Sequence, residues 1–173
     1  MSIMAFKLTR ADGEILRTLA ECRILTSPQL AALLSRSKKG MRDRIRKLIS
    51  EGLLMEVARG RGQRRGRPER IISLAEPAVA ILRERGLIDP QVSHEDIAGD
   101  SLRCQNHQLL LNWARIHLEY LETVVPRLKA RFLAHNSPFL PPEFSRVSVP
   151  SAAGEVINFT PDATFSLCHA QGG

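Results

Sequence analysis

Leu53-Leu-Met-Glu-Val57 and Arg70-Ile-Ile-Ser-Leu74 frame the stretch Arg59-Gly-Arg-Gly-Gln-Arg-Arg-Gly-Arg-Pro-Glu-Arg70. The two framing segments are short and apolar and read as strands. The stretch between them holds six arginines among glycines, with one glutamine, one proline and one glutamate. The whole reads as a hairpin with a long, basic tip. Glycine lets such a tip follow a surface closely, and arginine supplies charge and a planar hydrogen-bonding fork. Beside a basic helix, a loop of this kind suits a DNA duplex better than a small molecule.

That basic helix precedes the hairpin. Ser37 is placed to cap a helix running to Glu51, with Gly52 as its stop. At 100° per residue, Met41, Ile45, Leu48 and Ile49 fall on one side. Lys39, Arg42, Asp43, Arg46 and Ser50 fall opposite. Further upstream, Thr9 and Asp12 look like a cap and an acidic first turn. Ile15, Leu16 and Leu19 then repeat at helical spacing to about Glu21. Arg23-Ile-Leu-Thr26 reads as an extended link. Ser27-Pro28 reads as a helix start, Ser as cap and Pro in the first turn, with Leu30, Leu33 and Leu34 inward. Three helices followed by a hairpin is the winged helix-turn-helix order, in which the third helix enters the major groove and the hairpin tip is the wing.

Charge agrees with this order. Residues 1–90 carry 19 Lys/Arg against 10 Asp/Glu, and residues 91–173 carry 6 against 8, so the net +7 sits wholly in the first half. Such asymmetry points to nucleic acid or an anionic membrane surface. No apolar run approaches the eighteen or so residues that span a bilayer, so no membrane partner is expected. Met1 to Lys7 is too short and too weakly apolar for a signal peptide. Aromatics are 5% of the 173 residues, too few for a base-stacking platform. Cys22, Cys104 and Cys168 form neither a CxxC pair nor a disulfide framework, and each reads as a small buried hydrophobe in a cytoplasmic protein.

Past the hairpin, Glu76 to Arg85 reads as a fourth helix, with Pro77 in its first turn and Gly86 ending it. Residues 89–101, with Asp89-Pro90 and an acidic run, read as a linker. Leu102 to Val125 is a long helix, apolar around much of its circumference, that must pack on another layer or on a second subunit. Arg127–Leu133, Val156–Phe159 and Ala163–Cys168 read as strands. The expected class is α+β, with a winged helix-turn-helix at 1–88, the linker, and a long helix with short strands at 102–173.

At this point the chain resembles the replication-relaxation family. The matching pieces are Leu8-Thr9-Arg10-Ala11-Asp12 with Ile15-Leu16, Leu25-Thr26-Ser27-Pro28-Gln29-Leu30, Arg44-Ile45-Arg46-Lys47-Leu48 with Glu51-Gly52-Leu53-Leu54, then His107, Asn112 and Pro161-Asp162-Ala163. Each piece is short; their order and spacing carry the likeness over most of the chain. The resemblance implies an N-terminal winged helix and a role in replication or transfer of plasmids and other mobile elements, or in its transcriptional control. It also implies a C-terminal half similar to a restriction-endonuclease-like fold. There Asp162 would begin a Mg²⁺-dependent nuclease centre that also needs a second carboxylate and a lysine. No Glu-x-Lys follows Asp162 before Gly173, so a truncated version of that fold is expected.

The residues expected to meet double-stranded DNA are Lys39, Arg42 and Arg46 in the major groove and Lys38 and Lys47 nearer the backbone. Arg61, Arg64, Arg65 and Arg67 are expected on the wing, where a narrow minor groove attracts arginine. No catalytic residue, metal or cofactor is expected, and the protein is read as non-enzymatic. A homodimer or a replication or transfer protein is a candidate further partner. A nuclease centred on Asp162 and a protein-binding adaptor stand as the alternatives. His107 and His117 are ten residues apart, not the four of a helical metal pair, and His107 reads as structural. Glu119 and Glu122 read as solvated. Gly60, Gly62 and Gly66 do not sit between a strand and a helix, which sets aside a dinucleotide fingerprint.

Overall fold

The structure, a computed structural model, describes residues 8–59, 69–99, 104–135, 140, 146–152 and 154–169. Thr9 starts the first helix, α1 (Arg10–Cys22), with a reciprocal cap: the Asp12 amide donates to the Thr9 hydroxyl at 3.3 Å, and the Thr9 amide donates to the Asp12 carboxylate at 2.8 Å. Ile15, Leu16 and Leu19 are buried along its inner face. Arg23, at φ 63°, turns the chain out of α1 into a two-residue strand, β1 (Leu25–Thr26).

The next helix, α2 (Ser27–Leu33), is capped by Thr26 rather than by Ser27 as expected. Thr26 still has extended backbone, and Gln29, three residues on, returns a bond from its side chain to the Thr26 amide at 3.0 Å. Ser27 is already in the first turn and cannot serve as the cap. Helix α3 (Lys38–Ser50) starts at Ser37, whose hydroxyl accepts the Gly40 amide at 3.2 Å, as expected. Gly52, at φ 70°, carries the chain out of it, a backbone conformation that a side chain would strain.

Strands β2 (Leu54–Arg59) and β3 (Arg70–Leu74) form the hairpin, pairing Leu54 with Leu74 and Arg59 with Arg70 around a bulge at Val57. Strand β1 adds to the other edge of β3, giving an antiparallel sheet of order β1-β3-β2. This is the winged helix-turn-helix topology. Its core is a single cluster that includes Leu16, Leu19, Leu30, Met41, Leu48 and Leu74.

Helix α4 (Glu76–Glu84) follows. The stretch read as a linker contains a helical turn, α5 (His94–Ile97), capped by Ser93 and Asp96. Ile97 and Ala98 are fully buried, and Ile97 belongs to the winged-helix core. The Arg23 guanidinium donates to the carbonyls of Glu95 and Ala98, both at 3.0 Å. The Gly99 amide donates to the Ser73 hydroxyl at 2.6 Å, and that hydroxyl donates to the Arg23 carbonyl at 2.8 Å. Acidic residues and Asp-Pro suggested a spacer, but the capping box and two buried apolar residues fasten this segment to the domain. A Cβ at Gly99 would stand 1.9 Å from the Ile24 Cγ2. Gly99→Ala is therefore expected to destabilise the fold by about 1–3 kcal/mol through overpacking, read as a lower denaturant midpoint.

The long helix, α6 (Gln105–Val124), leads into β4 (Leu128–Ala134), which pairs along its length with β7 (Ala163–His169). Strands β5 (Val147–Pro150) and β6 (Val156–Phe159) form a separate antiparallel pair. β5 was not read as a strand from the sequence; its one proline, Pro150, ends it, where a strand tolerates one. Helix α6 reverses the usual pattern. Its buried residues are the polar Gln108 and Asn112, while Leu110 and Tyr120 are 67% and 61% exposed. Of the cysteines, Cys22 is buried as expected, but Cys104 and Cys168 are exposed.

Candidate nucleic-acid interface

Helix α3 is held by its apolar side, and that fixes what it shows outside. Met41, Ile45 and Leu48 are buried, so Lys38, Lys39, Arg42, Arg46 and Lys47 are all exposed. Lys38, Arg42 and Arg46 recur at i, i+4 and i+8 and form one row along the helix. That row edges an open cleft of about 560 Å³, closed on the far side by Ser27 and Pro28 of α2 and by Arg70 at the root of the hairpin. Lys39 and Lys47 lie on the flank turned away from the cleft. The Arg42 guanidinium folds back to the Lys38 carbonyl at 3.2 Å, and Arg46 pairs with Asp43 at 3.2 Å. Arg70 pairs with Glu56 across the hairpin at 3.5 Å. The Ser27 hydroxyl is buried at the cleft and has no partner among the described residues. Sequence reading missed it because it was assigned to the cap. Arg61, Arg64, Arg65 and Arg67 lie outside the described residues.

A contact between charges 32 residues apart ties α3 to α1. Arg44 grips the Asp12 carboxylate with two nitrogens, and its Nη2 also reaches the Thr9 hydroxyl at 3.0 Å. Asp12 is fully buried, while Arg44 is partly open to solvent. Burial pushes the Asp12 carboxyl up. The bonds from Arg44 and Thr9, with the Arg44 charge, outweigh burial and hold it below the ordinary carboxylate range. The same carboxylate raises the Arg44 guanidinium. A bidentate Arg–carboxylate pair is directional, so it orients the helix as well as holding it.

On the opposite side of α1 and α2, the polar face of α6 is stitched to the domain. The Asn112 amide donates to the Ile24 carbonyl at 2.5 Å and the Cys22 carbonyl at 3.3 Å. The Gln29 amide donates to the Leu109 carbonyl at 3.0 Å. Arg115 bridges Glu21 and Glu119, each at 2.6 Å. Glu119 is thus paired rather than solvated, and Glu122 accepts the Ala130 amide at 2.7 Å. Burial pushes the Cys22 thiol up to about 12, which makes it an inert packing group.

His107 Nε2 stands 3.2 Å from the Asp162 carboxylate, joining the start of α6 to the turn before β7. The two residues of the family pattern farthest apart in this region therefore meet. Among the described residues no group of three His, Cys, Asp or Glu is placed to hold a metal. Mg²⁺ requires octahedral oxygen ligands. Among the described residues, a carboxylate engaged by an imidazole and outside any such group does not fit it.

The fold and the exposed basic face define a winged-helix protein with its third helix presented outward. The replication-relaxation family model matches residues 16–171, and the chain belongs to that family. No curated protein sequence matches it. Among solved structures it is similar to a cysteine-to-serine mutant of MarR from E. coli complexed with operator DNA, at 16% identity and a TM-score of 0.43 over 72% of this chain and 80% of that one. It is also similar to apo wild-type MarR from E. coli, at 18% identity and 0.42 over 69% and 80%. A mutant of ZitR from Lactococcus lactis is similar at 24% identity and 0.40 over 69% and 75%. Among the described residues no helix is long and apolar enough to cross a membrane.

Proposed function

We propose that this chain binds double-stranded DNA through α3 and the hairpin, without catalysis of its own, in the replication or transfer of a plasmid or other mobile element, or in control of those genes. The observation that carries the reading is the row Lys38, Arg42 and Arg46, exposed along one helix beside Arg70. A phosphate backbone attracts such a row at long range, and the helix places the same side chains at base edges. The sequence between β2 and β3 adds Arg61, Arg64, Arg65 and Arg67 to the basic count. Family membership supports the replication setting.

The test is a fluorescence-anisotropy titration of the protein against random and genomic duplexes at several salt concentrations. Binding should weaken with log–log slope near about −0.9 for each phosphate neutralised. An enriched inverted repeat beside an origin would support the replication or transfer role. Absence of duplex binding at low salt would overturn the proposal and favour a protein-binding adaptor.

A further inference from the structure

Helix α6 turns its polar residues toward its own domain and its apolar residues outward. Leu110, Trp113, His117, Tyr120 and Val124 are all exposed, and their spacing is 3, 4, 3, 4. That is the spacing of a seam that packs against another helix at a shallow angle. Its inner polar groups are engaged by Cys22, Ile24, Glu21 and Gln29. From the seam and this packing we propose that α6 is a dimerisation helix, pairing antiparallel with α6 of a second copy of this chain.

Three features select a second copy. Around His117 the seam runs ring then aliphatic in either direction, at −4 and −7 and at +3 and +7, so an antiparallel two-fold sets Leu110 against Val124 and brings Trp113 to within one residue of Tyr120. Each end then meets an aliphatic residue and each ring meets a ring, a self-complementary surface of the kind a two-fold interface requires. The seam carries no carboxylate, lysine or arginine, so a charged peptide would find no counter-ion there. The available area is of the right order. Five partly exposed side chains offer roughly 500 Å² per protomer. Phe165 and Leu167 of β7 continue the sheet face shared with Phe132 and Ala130, and they are also exposed. A stable complex buries roughly 800 Å² per partner, of which the seam would supply more than half. Trp113 and His117 are pre-arranged: their rings lie 6.0 Å apart, and the His117 Nδ1 is 2.7 Å from the Trp113 carbonyl.

Sedimentation equilibrium without DNA tests the proposal independently of any DNA reading. Wild type is expected at twice the chain mass at micromolar concentration. Trp113→Glu with Tyr120→Glu is expected at the chain mass with unchanged helical circular dichroism, since both residues are outside the core. A wild type that stays monomeric at tens of micromolar, or a double variant that stays dimeric, overturns it. Orientation is read by oxidative cross-linking in a background of Cys104→Ser and Cys168→Ser. His117→Cys should cross-link to itself, and Leu110→Cys only together with Val124→Cys. Self-linking of Leu110→Cys alone would overturn the antiparallel arrangement.

Discussion

Asp12→Ala should cost about 3–5 kcal/mol of folding stability, the range for removing one partner of a buried ion pair. The substitution acts through two losses. Thr9 loses the carboxylate that closes the α1 cap, and Arg44 loses the partner that offsets its removal from water. Asp12→Asn separates the two, because an amide oxygen can still accept the Thr9 amide while the charge is gone. It should therefore cost less than alanine. Urea unfolding of the three proteins at about pH 7 measures this, and a loss below about 1 kcal/mol for alanine would show that the pair is not what holds α1 to α3. The pH dependence has a fixed sign. The Asp12 carboxyl is held below its ordinary value in the folded chain. Its contribution is complete above that ordinary value, near about pH 3.9, and is lost as pH falls through the lower folded value. The gap between wild type and Asp12→Ala should therefore close in acid, below about pH 4.

Local chemistry made the winged helix legible from the sequence. Ser37 with Gly52, and Gly86 after α4, are signals that act within one turn, and the structure places helix ends at or next to each of them. The outward row on α3 was legible for the same reason: once Met41, Ile45 and Leu48 are inside, geometry leaves Arg42 and Arg46 outside. Contacts across the chain were not legible. Nothing near Asp12 announces Arg44, although both lie in pieces of the family pattern, and that shared pattern was the signal available. Helix α6 was legible as a helix that needs a partner layer, but not as to which of its faces meets the domain. Apolar periodicity names the face that avoids water in the finished assembly, and here that face is not covered by the chain's own domain. Asn112 donates to the carbonyls of Cys22 and Ile24, and Gln108 donates to the Asn112 side chain, contacts that no local signal announces. The α5 turn within the stretch 89–101 was not legible, because the acidic run obscured the cap that Ser93 and Asp96 form three residues apart.

Lys38→Ala, Arg42→Ala and Arg46→Ala together should remove most duplex binding while leaving the fold intact. All three side chains are exposed, and the apolar side of α3 that anchors it is untouched. Surface substitutions of this kind usually change stability by less than about 0.5 kcal/mol each. Binding should fall far more. If each side chain reaches a phosphate, the salt slope should become shallower by about 0.9 per residue, or roughly 2.7 units for three. If Arg42 or Arg46 also reads a base edge, that contact adds about 1–3 kcal/mol of discrimination, which the single variants would lose at one position of the site. The hairpin arginines supply the contrast. Arg64→Ala, Arg65→Ala and Arg67→Ala should flatten the slope by a similar amount while changing base preference less, because a wing in the minor groove senses width and potential more than base identity. An α3 triple variant that binds duplex DNA with wild-type affinity and slope would dismiss α3 as the reading helix. The exposed basic row would then be no more than a solvated helix face.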